Sequence, residues 1–507
     1  MSMFKKILVA NRGEISVRIF RACQELGVRT VAVFSEPDAG APWTRLADEG
    51  YLLPGVSAAD TYLNQEAILR VAEVAGAEAI HPGYGFLSEN GDFAALCRER
   101  GIKFIGPSAE AIRVMGSKAT ARAVAQQAGV PVIPGVDGVG ALGIHKSDEE
   151  LLSAAHIIGF PVLVKASAGG GGKGMRVVWS PETFMNDLRA ARSEAKSAFG
   201  DDHVLLEKYF TEIHHIEVQV LGDAHGNLVH LFERECSIQR RHQKIVEESP
   251  SPVVTRKLRQ KMTEAALALA RAVQYESAGT VEFVVDSAGN FYLLEMNTRL
   301  QVEHPVTESV SGLDLAAWQI RIAAGEPLNF TQADLRQRGH ALECRIYAED
   351  PANQFLPSIG EIKFFRPPSG PGVRVDAGIA DTTAVTPYYD PMLAKIITWG
   401  ADRPEAIRKM VRALRETVIL GVTTNIPYLL AILQHPVFIQ GLTLTNFLAE
   451  HMPDWRHAPT PDDEVWLALA MHEALQGGSR YATADNGGVE PATPDPWTLI
   501  NGWRNNA

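Results

Sequence analysis

A chain of 507 residues is too long for one ordinary hydrophobic core and is expected to form about two to four domains. Its composition, with 46% hydrophobic, 21% charged and 7% aromatic residues, is typical of a soluble globular protein. The net charge of −12 argues against a nucleic-acid-binding protein, although Arg240 and Arg241 could still bind a small anion locally.

The cysteines and the apolar runs limit the kind of protein and the cellular setting that the sequence allows. Four cysteines lie far apart and form no CxxC pair, so neither a zinc site nor a disulfide framework is predicted. A reduced, cytoplasmic setting is therefore expected. No run approaches the roughly 18 apolar residues that a bilayer-spanning helix needs, so no membrane association is expected.

The first 110 residues alternate short apolar runs with helical patterns. The run "KILVA", a helix from Glu14 to Leu26 and the run "RTVAVFS" are followed by the helix "AILRVAEVAGA" and two further short strands. This alternation predicts a parallel sheet with helical crossovers. The first turn, Asn11-Arg12-Gly13-Glu14, is not GxGxxG, which argues against a dinucleotide cofactor and an oxidoreductase.

The rest of the chain mixes strands and helices in a different order. Residues 115–135 predict a helix that ends in a proline-rich joint, and residues 135–210 predict a small segment of strands around a glycine run. Residues 211–330 predict antiparallel strands, a helix and a hairpin, and 335–450 predict a further mixed region. In the proline-rich tail after 452, "DEVWLALAMHEALQG" predicts an amphipathic helix.

The glycine run lies between two predicted strands. Gly169 to Gly172 are followed by Lys173 and Gly174, whereas a Walker A loop requires Gly-Lys-Ser/Thr and then a helix. The pattern predicts a hairpin lid whose bare backbone N–H groups could fold over phosphates, with Lys165 supplying a positive charge nearby. The alternative is a flexible surface turn, for which four glycines are entropically costly.

Two carboxylates are predicted to face each other in the hairpin "GTVEFVVDSAGNFYLLEMN". Pairing Asp286 with Phe291 places Glu282 opposite Glu295, and directly opposed like charges are unfavourable by up to about 1 kcal/mol. A bound Mg²⁺ would reverse that sign, and Asn297 could supply a further oxygen. The alternatives are an exposed, tolerated pair or a register that is off by one.

Polar residues continue at every second position beyond this hairpin. If the chain stays extended, they form one stripe, which is either a solvent-facing edge or the wall of a cleft. The residues are Glu295, Asn297, Arg299, Gln301 and Glu303. A second polar segment, Gln239 to Lys244, is either an ordinary solvated face or a group of anion ligands beside the metal and phosphates.

Together these motifs resemble biotin carboxylases of the ATP-grasp superfamily, from Phe4 to about residue 448. The resemblance is carried by "ILVANRGEISVRI", "IHPGYGFLSEN", "VKASAGGGGKGMRVV", "ECSIQRRHQKIVEE", "LLEMNTRLQVEHPVTE" and "ECRIYAED". It implies an α/β and α+β chain with an ATP-grasp fold. The implied domains are a Rossmann-like N-terminal (pre-ATP-grasp) domain at 1–114, an ATP-grasp domain at 115–332 with a lid at about 135–207, a biotin carboxylase C-terminal domain at 333–450, and a tail at 451–507.

The resemblance also implies roles for individual residues. Contacts with ATP are implied for Lys118, Lys165, Gly171, Gly172, Glu207, Lys208, Tyr209, Phe210, His215, Gln239 and His242. Ligands for Mg²⁺ or Mn²⁺ are implied to be Glu282, Glu295 and Asn297. Bicarbonate is implied to bind Lys244, Arg299, Gln301, the Val302 backbone and Glu303, and biotin to bind Tyr84 and Arg345. The implied catalytic residues are Arg299, Glu303, Lys244 and Arg345.

The implied activity is that of an ATP-dependent ligase. Bicarbonate would be activated as carboxyphosphate and its carbon passed to biotin, the first half-reaction of an acetyl-, propionyl- or other acyl-CoA carboxylase. The sequence has no Met-Lys-Met tetrapeptide, so biotin is expected on a separate carboxyl carrier protein, with a carboxyltransferase subunit as second partner. A homodimer or larger complex is expected, and the final acceptor stays open.

The tail and the rival functions leave alternatives open. The stretch "DPWTLINGWRNNA" resembles acyl-CoA carboxylase α chains, and Trp466, Trp497 and Trp503 suggest that the tail docks onto a partner; an unpacked remnant is the alternative. A carbamoyl-phosphate or purine-pathway ATP-grasp ligase would not be expected to share "QVEHPVTE" with "ECRIYAED". A non-enzymatic ATP-binding scaffold would be expected to lack at least one of the implied catalytic or metal-binding side chains, and the sequence has all of them.

Overall fold

The computed structural model describes residues 3–137, 146–166, 175–200, 202–241, 243–456 and 463–477. Contacts divide the chain into two compact units, Met1–Trp455 and Arg456–Ala507. Among the described residues, no helix is both long enough and apolar enough to cross a membrane.

The chain begins with a five-stranded parallel sheet in the order β3-β2-β1-β4-β5. Its central strands are buried on both faces, as continuous Val/Ile/Leu runs predict. The predicted strand–helix alternation is confirmed, and β3 is an additional strand. The elements are β1 (Lys6–Val9), α1 (Gly13–Glu25), β2 (Arg29–Ser35), β3 (Glu49–Leu53), α2 (Gln65–Ala75), β4 (Ala79–His81), α3 (Gly91–Glu99), β5 (Lys103–Phe104), α4 (Ala109–Gly116) and α5 (Lys118–Gln127).

A small antiparallel sheet follows, in the order β6-β9-β7-β8. Strands β7 and β8 flank the glycine run and pair from Val162 opposite Val178 to Lys165 opposite Met175, as the predicted hairpin requires. The glycines themselves lie outside the described residues. The elements are β6 (Gly135–Asp137), α6 (Asp148–Ile158), β7 (Val162–Ala166), β8 (Met175–Val178), α7 (Pro181–Phe199) and β9 (Val204–Lys208).

The remaining elements form the largest sheet and the layers that cover it. The strands are β10 (Ile213–Gly222), β11 (Leu228–Arg240), β12 (Gln243–Ser249), β13 (Ser277–Asp286), β14 (Phe291–Asn297), β15 (His340–Tyr347), β16 (Glu349–Asp350), β17 (Leu356–Pro357), β18 (Gly360–Glu361), β19 (Phe364–Arg366), β20 (Val373–Ala377), β21 (Ala384–Val385), β22 (Met392–Gly400) and β23 (Val418–Leu420). The helices are α8 (Arg256–Ala272), α9 (His304–Ser311), α10 (Leu315–Ala323), α11 (Arg403–Glu416), α12 (Ile426–Gln434), α13 (Pro436–Ile439), α14 (Phe447–His451) and α15 (Asp463–Gly477).

Eight of these strands form one antiparallel sheet in the order β14-β13-β10-β11-β12-β15-β22-β20. Helix α9 contacts four of its strands, β11, β12, β15 and β22, and begins directly after Glu303. The sheet carries seven of the predicted site residues, namely His215, Gln239, Lys244, Glu282, Glu295, Asn297 and Arg345. It is continuous across residue 332, and the domain borders at 114, 332 and 450 stay predictions.

The tail helix α15 is confirmed as a helix, but its predicted amphipathic character is wrong. The residues from Val465 to Met471 are apolar in succession, so their side chains surround the helix instead of forming one face. Trp466, Leu467 and Met471 are 59%, 63% and 65% exposed. Trp497 and Trp503 lie outside the described residues.

Candidate active site

The centre of the candidate site is a lysine surrounded by three carboxylates. The Nζ atom of Lys244 on β12 lies 2.5 Å from Glu217 Oε2, 2.8 Å from Glu282 Oε1 and 2.7 Å from Glu303 Oε1. Burial alone would lower the pKa of Lys244, but the three carboxylates outweigh it and hold that pKa well above its ordinary value. Lys244 is therefore a permanently charged group in a buried cluster of acids.

Glu303 lies between two cations. Its Oε1 accepts from Lys244, and its Oε2 accepts from Arg345 Nη2 at 3.0 Å. Burial alone would raise the pKa of Glu303, but Lys244 and Arg345 lower it far below its ordinary value. Glu303 is thus ionised at neutral pH and has both oxygens directed at the charged groups of the site.

The two facing carboxylates of the β13–β14 hairpin are confirmed. Glu282 is paired with Glu295, but the predicted pairing of Asp286 with Phe291 is wrong, because Val285 is opposite Phe291. A bulge between Glu282 and Phe283 shifts the register by one residue and restores the predicted pair.

The oxygens of this hairpin fit a divalent cation. Partial desolvation and then the charge of Glu282 raise the pKa of Glu295. The side chain of Glu295 nevertheless keeps contact with solvent. A cation between the two carboxylates would relieve that repulsion. Asn297 contacts the same group, since its Nδ2 donates to Glu282 Oε1 at 2.9 Å. Two carboxylates and an amide are the hard oxygen donors that Mg²⁺ prefers.

The predicted single strand of polar residues is wrong in its geometry. Strand β14 ends at Asn297, Arg299 and Gln301 lie in irregular chain, and Glu303 directly precedes α9. The chain folds back instead of extending, because Gln301 Nε2 donates to Glu282 Oε1 at 2.6 Å and Arg299 Nη2 donates to Asn297 Oδ1 at 2.8 Å. The polar residues thus converge on one point, which favours a cleft wall over a solvent-facing edge.

The residues predicted to contact ATP fall into two neighbouring groups. In the first, His215 Nε2 lies 2.8 Å from Glu282 Oε2, and Gln239 Nε2 lies 2.8 Å from His215 Nδ1. In the second, Lys165 forms an ion pair with Glu207. The pKa of Lys118 is lowered by burial and by the charge of Lys165, while Glu295 and Glu207 oppose that effect.

The other predicted ATP residues lie beside the second group. Lys208 Nζ donates to the carbonyl oxygens of Gly159 and Phe160, at 2.9 and 3.0 Å. Tyr209 packs edge-on against Trp179, and Phe210 stacks on Tyr292, with ring centroids 5.9 and 5.3 Å apart. Gly171, Gly172 and His242 lie outside the described residues.

The two predicted biotin residues approach one turn from two sides. Arg345 contacts Glu303, as described above. Tyr84 donates its hydroxyl to Glu14, and Lys395 Nζ lies 3.4 Å from Glu14 and donates to the Val302 carbonyl at 2.7 Å. Tyr84 is therefore connected to the turn at residues 301–303 through Glu14 and Lys395.

Several central residues were not predicted from the sequence. Arg234 is completely buried and donates to Glu217, Gln301, Gln219, Thr280 and Thr307 at distances between 2.5 and 3.0 Å. Glu217 and Gln219 alternate with apolar residues along β10, which is a signal that could have identified them. Glu247 follows Ile245 and Val246 without alternating with them, Lys395 lies in the apolar strand β22, and neither gave a comparable signal.

The chain is similar to known proteins over most of its length. Residues 3–112 match the family model "Biotin carboxylase, N-terminal domain", 117–331 match "Carbamoyl-phosphate synthase L chain, ATP binding domain", and 343–450 match "Biotin carboxylase C-terminal domain". Biotin carboxylase 1 of Bacillus subtilis is 51% identical over 447 residues, which cover 88% of this chain and 98% of that protein.

Two further relatives extend the comparison. The pig mitochondrial propionyl-CoA carboxylase alpha chain is 50% identical over 475 residues, which cover 93% of this chain and 64% of that protein. The biotin carboxylase domain dimer of Hydrogenobacter thermophilus 2-oxoglutarate carboxylase, solved with MgADP, ADP and bicarbonate, has a TM-score of 0.85 and 49% identity. That match covers 90% of this chain and 100% of the solved one.

The match to an ATP-binding domain model at 117–331 and the similarity to biotin carboxylases make the chain an ATP-dependent ligase. The chain belongs to the biotin carboxylase family. Its reaction is the ATP-dependent carboxylation of biotin, and ATP, magnesium and biotin are the cofactors of that reaction.

Proposed function

We propose that the turn at residues 301–303 and the Lys244 cluster form the bicarbonate site. Lys244 and Arg299 supply positive charge, and Gln301 and the Val302 backbone fix the orientation of the anion. Glu303 removes the bicarbonate proton, so that the oxygen can attack the γ-phosphate of ATP and give carboxyphosphate. The observation that carries this proposal is Glu303 itself, ionised and held between Lys244 and Arg345.

The phosphates of ATP are proposed to lie between the two groups of ATP residues. Lys118 and Lys165 would neutralise phosphate charge there, and Glu207 orients Lys165 through their ion pair. Lys208, Tyr209, Phe210, His215, Gln239 and His242 are proposed to contact the nucleotide as well, and the glycines at 171 and 172 are assigned to the lid. Glu282, Glu295 and Asn297 would hold the magnesium ion, which supplies charge neutralisation for phosphoryl transfer.

The biotin ring is assigned to the opposite side of Glu303. Arg345 would donate to the ring oxygen and stabilise the negative charge that develops there when the ring nitrogen loses its proton. Tyr84 would pack on the ring from the N-terminal sheet. Exclusion of water from the cleft protects carboxyphosphate, which is unstable in water.

The proposed partners are a biotin carboxyl carrier protein, a carboxyltransferase subunit and a second copy of this chain. The dimer of the Hydrogenobacter domain supports the last of these, and the bicarbonate bound there supports the anion site. The alignment with the pig propionyl-CoA carboxylase alpha chain extends over 475 residues, which supports an acyl-CoA carboxylase and a docking role for the tail. All four cysteines are unpaired and buried, which supports a reducing, cytoplasmic setting.

The test is ATP cleavage by the purified chain, measured with and without bicarbonate and with and without free biotin. The proposal predicts cleavage that depends on bicarbonate and increases with biotin, and a strong loss in Arg299→Ala. ATP cleavage that depends on neither bicarbonate nor biotin would contradict the proposal. Cleavage stimulated by ammonia, with no response to biotin, would favour the carbamoyl-phosphate type of ligase that the match at 117–331 also permits.

A further inference from the structure

Behind Arg345, the eight-stranded sheet carries charged side chains on one buried face. Glu247 on β12 is directly opposite Glu343 on β15, and Arg345 on β15 is directly opposite Lys395 on β22. Directly opposed residues of antiparallel strands point to the same face, and so do residues two apart on one strand. All four side chains therefore share one face of the sheet, and none is more than 7% exposed.

Glu247 contacts Arg345 more closely than any other described carboxylate does. One oxygen, Oε1, accepts a hydrogen bond from Arg345 Nε at 2.6 Å and lies 2.5 Å from Arg345 Nη2 in an ion pair. The longer contact of the same guanidinium, at 3.0 Å, is with Glu303. The second oxygen of Glu247 is buried and has no hydrogen-bond partner among the described residues. Glu247 therefore directs its charge at this arginine.

Glu343, across the strand pair, differs from Glu247 in its contacts although it is equally buried. Neither of its oxygens has a hydrogen-bond partner among the described residues. Burial, together with the nearby charges of Glu247 and Glu303, holds the pKa of Glu343 well above its ordinary value in spite of Lys395 and Arg345. Glu343 therefore makes no hydrogen bond to Arg345, and Glu247 is the carboxylate of this face that pairs with Arg345.

We propose that Glu247 is a positioning residue for the carboxylation of biotin, because it fixes the guanidinium of Arg345 between Glu303 and the biotin ring. The proposal rests on the proposed function, in which Arg345 serves the ring. Without Glu247, the nearest opposite charge for Arg345 is Glu303. The guanidinium would then be free to turn one two-donor edge toward Glu303, and no donor would be held at the position of the ring oxygen.

The reaction of bicarbonate depends much less on this contact. Glu303 has a second cation, Lys244, at 2.7 Å from its other oxygen, and Lys244 does not need Glu247 to stay in place. Loss of Glu247 should therefore affect the step that uses biotin more than the cleavage of ATP with bicarbonate alone. This separation distinguishes a positioning role from a general contribution to folding.

The test compares Glu247→Gln with Glu343→Gln, a matched control with the same substitution on the same face of the neighbouring strand. For Glu247→Gln, kcat/KM for free biotin should fall about 10²-fold, since a misplaced catalytic group commonly has that effect. The KM for ATP and the bicarbonate-dependent ATP cleavage without biotin should stay close to wild type. Glu343→Gln should resemble the wild-type protein in all three, because neither oxygen of Glu343 makes a hydrogen bond to a described residue that the amide would lose.

A double-mutant cycle adds a second test. If Glu247 acts through Arg345, then Glu247→Gln should cause little further loss of biotin-dependent activity in an Arg345→Lys background. Equal losses in Glu247→Gln and Glu343→Gln, a loss that falls equally on the biotin-free reaction, or full additivity in the cycle would each overturn the proposal.

Misfolding of Glu247→Gln and the absence of a biotin response in the wild-type protein have different meanings. If Glu247→Gln does not fold, Glu247→Asp is measured instead: it keeps the charge but shortens the reach, and it should show the same selective loss to a smaller degree. Wild-type activity at Glu247→Asp would overturn the proposal. If the wild-type protein itself shows no response to biotin, the proposed function fails, which is distinct from failure of the role of Glu247.

Discussion

Lys244 is the residue on which most of the charge balance of the site depends. It lies within 2.8 Å of Glu217, Glu282 and Glu303, all of them buried. Removing one partner of a buried ion pair leaves uncompensated charge in a poorly solvated place. The same lysine, the proposed anion ligand, is thus also a positive charge that all three acids share.

We predict that Lys244→Met lowers the free energy of unfolding by about 3–5 kcal/mol, the usual cost of breaking a buried ion pair, and abolishes bicarbonate-dependent ATP cleavage. Denaturant unfolding and the ATP assay measure the two effects. The control is Arg412→Gln: its ion pair with Glu416 at 3.3 Å is about half exposed, and the expected change is within about 1 kcal/mol. Equal stability of both variants would contradict the role of Lys244.

Glu235 gives the molecule a pH dependence that is separate from the reaction. Burial raises the pKa of Glu235 to about 8, although Ser237 and Ser251 donate hydrogen bonds that favour the charged form. Between its ordinary value of 4.5 and about 8, the folded state holds a proton that the unfolded state has released. Stability therefore falls as pH rises through this range, by up to about 1.4 kcal/mol per pH unit.

The variant Glu235→Gln cannot ionise, so its free energy of unfolding should depend less on pH between 5 and 8 than that of the wild-type protein. Urea unfolding at several pH values measures this slope. A slope equal to that of the wild-type protein would show that Glu235 is ionised throughout the range.

At the scale of secondary structure elements, the contact between α1 and the chain after β20 holds the N-terminal sheet against the large one. A Cβ atom at Gly378 would lie 2.6 Å from backbone atoms of both Gly13 and Glu14. Neither neighbour can move without shifting the start of α1. Glu14, which accepts from Tyr84 and lies near Lys395, would move with it.

We predict that Gly378→Ala lowers the free energy of unfolding by about 1–3 kcal/mol, the usual cost of forcing an atom into a packed interior. It should also raise the KM for biotin through displacement of Tyr84. Gly116→Ala is the matched control. Gly116 lies at the end of α4, where an added Cβ atom would meet no neighbouring group within 4 Å, so this variant should be neutral or stabilising. Thermal unfolding and biotin kinetics distinguish the two variants.

Elements also show how far sequence patterns can predict a site. The pairing of Glu282 with Glu295 follows from the hairpin pattern, yet it depends on a bulge that neither composition nor periodicity indicates. The alternating polar residues up to Glu303 predict the correct set of side chains but the wrong path, because the strand ends at Asn297. Alternation fixes which residues share a face only while the strand continues.

Across the whole molecule, motifs predicted the family and the separate strands, but not the contacts between distant segments. Arg234 makes five buried hydrogen bonds with residues from β10, β13, the turn before α9 and α9 itself, and no local pattern marks it. Glu247 likewise makes its main contact with a residue far away in sequence, Arg345, and no local pattern marks it. Such residues act through partners far away in sequence, so their roles require the folded structure.

The division into two units leads to a prediction for a shortened chain. Every described site residue lies within Met1–Trp455, and Trp455 packs edge-on against Tyr428, with ring centroids 5.0 Å apart. A protein that ends after Trp455 should therefore unfold at the same temperature as the full chain and carboxylate free biotin at the same rate. Loss of activity with free biotin would show that the second unit is part of the catalytic site.

The central claim is that Glu303 removes the proton of bicarbonate in a site that passes the carbon to biotin. The most direct measurement is transfer of labelled carbon from bicarbonate to free biotin, in the presence of ATP and magnesium, by the wild-type protein and by Glu303→Gln. We predict ATP-dependent labelling of biotin by the wild-type protein and a rate about 10²–10⁴-fold lower in the variant, the usual contribution of a general base. Unlabelled biotin with the wild-type protein, or equal rates in both proteins, would contradict the claim.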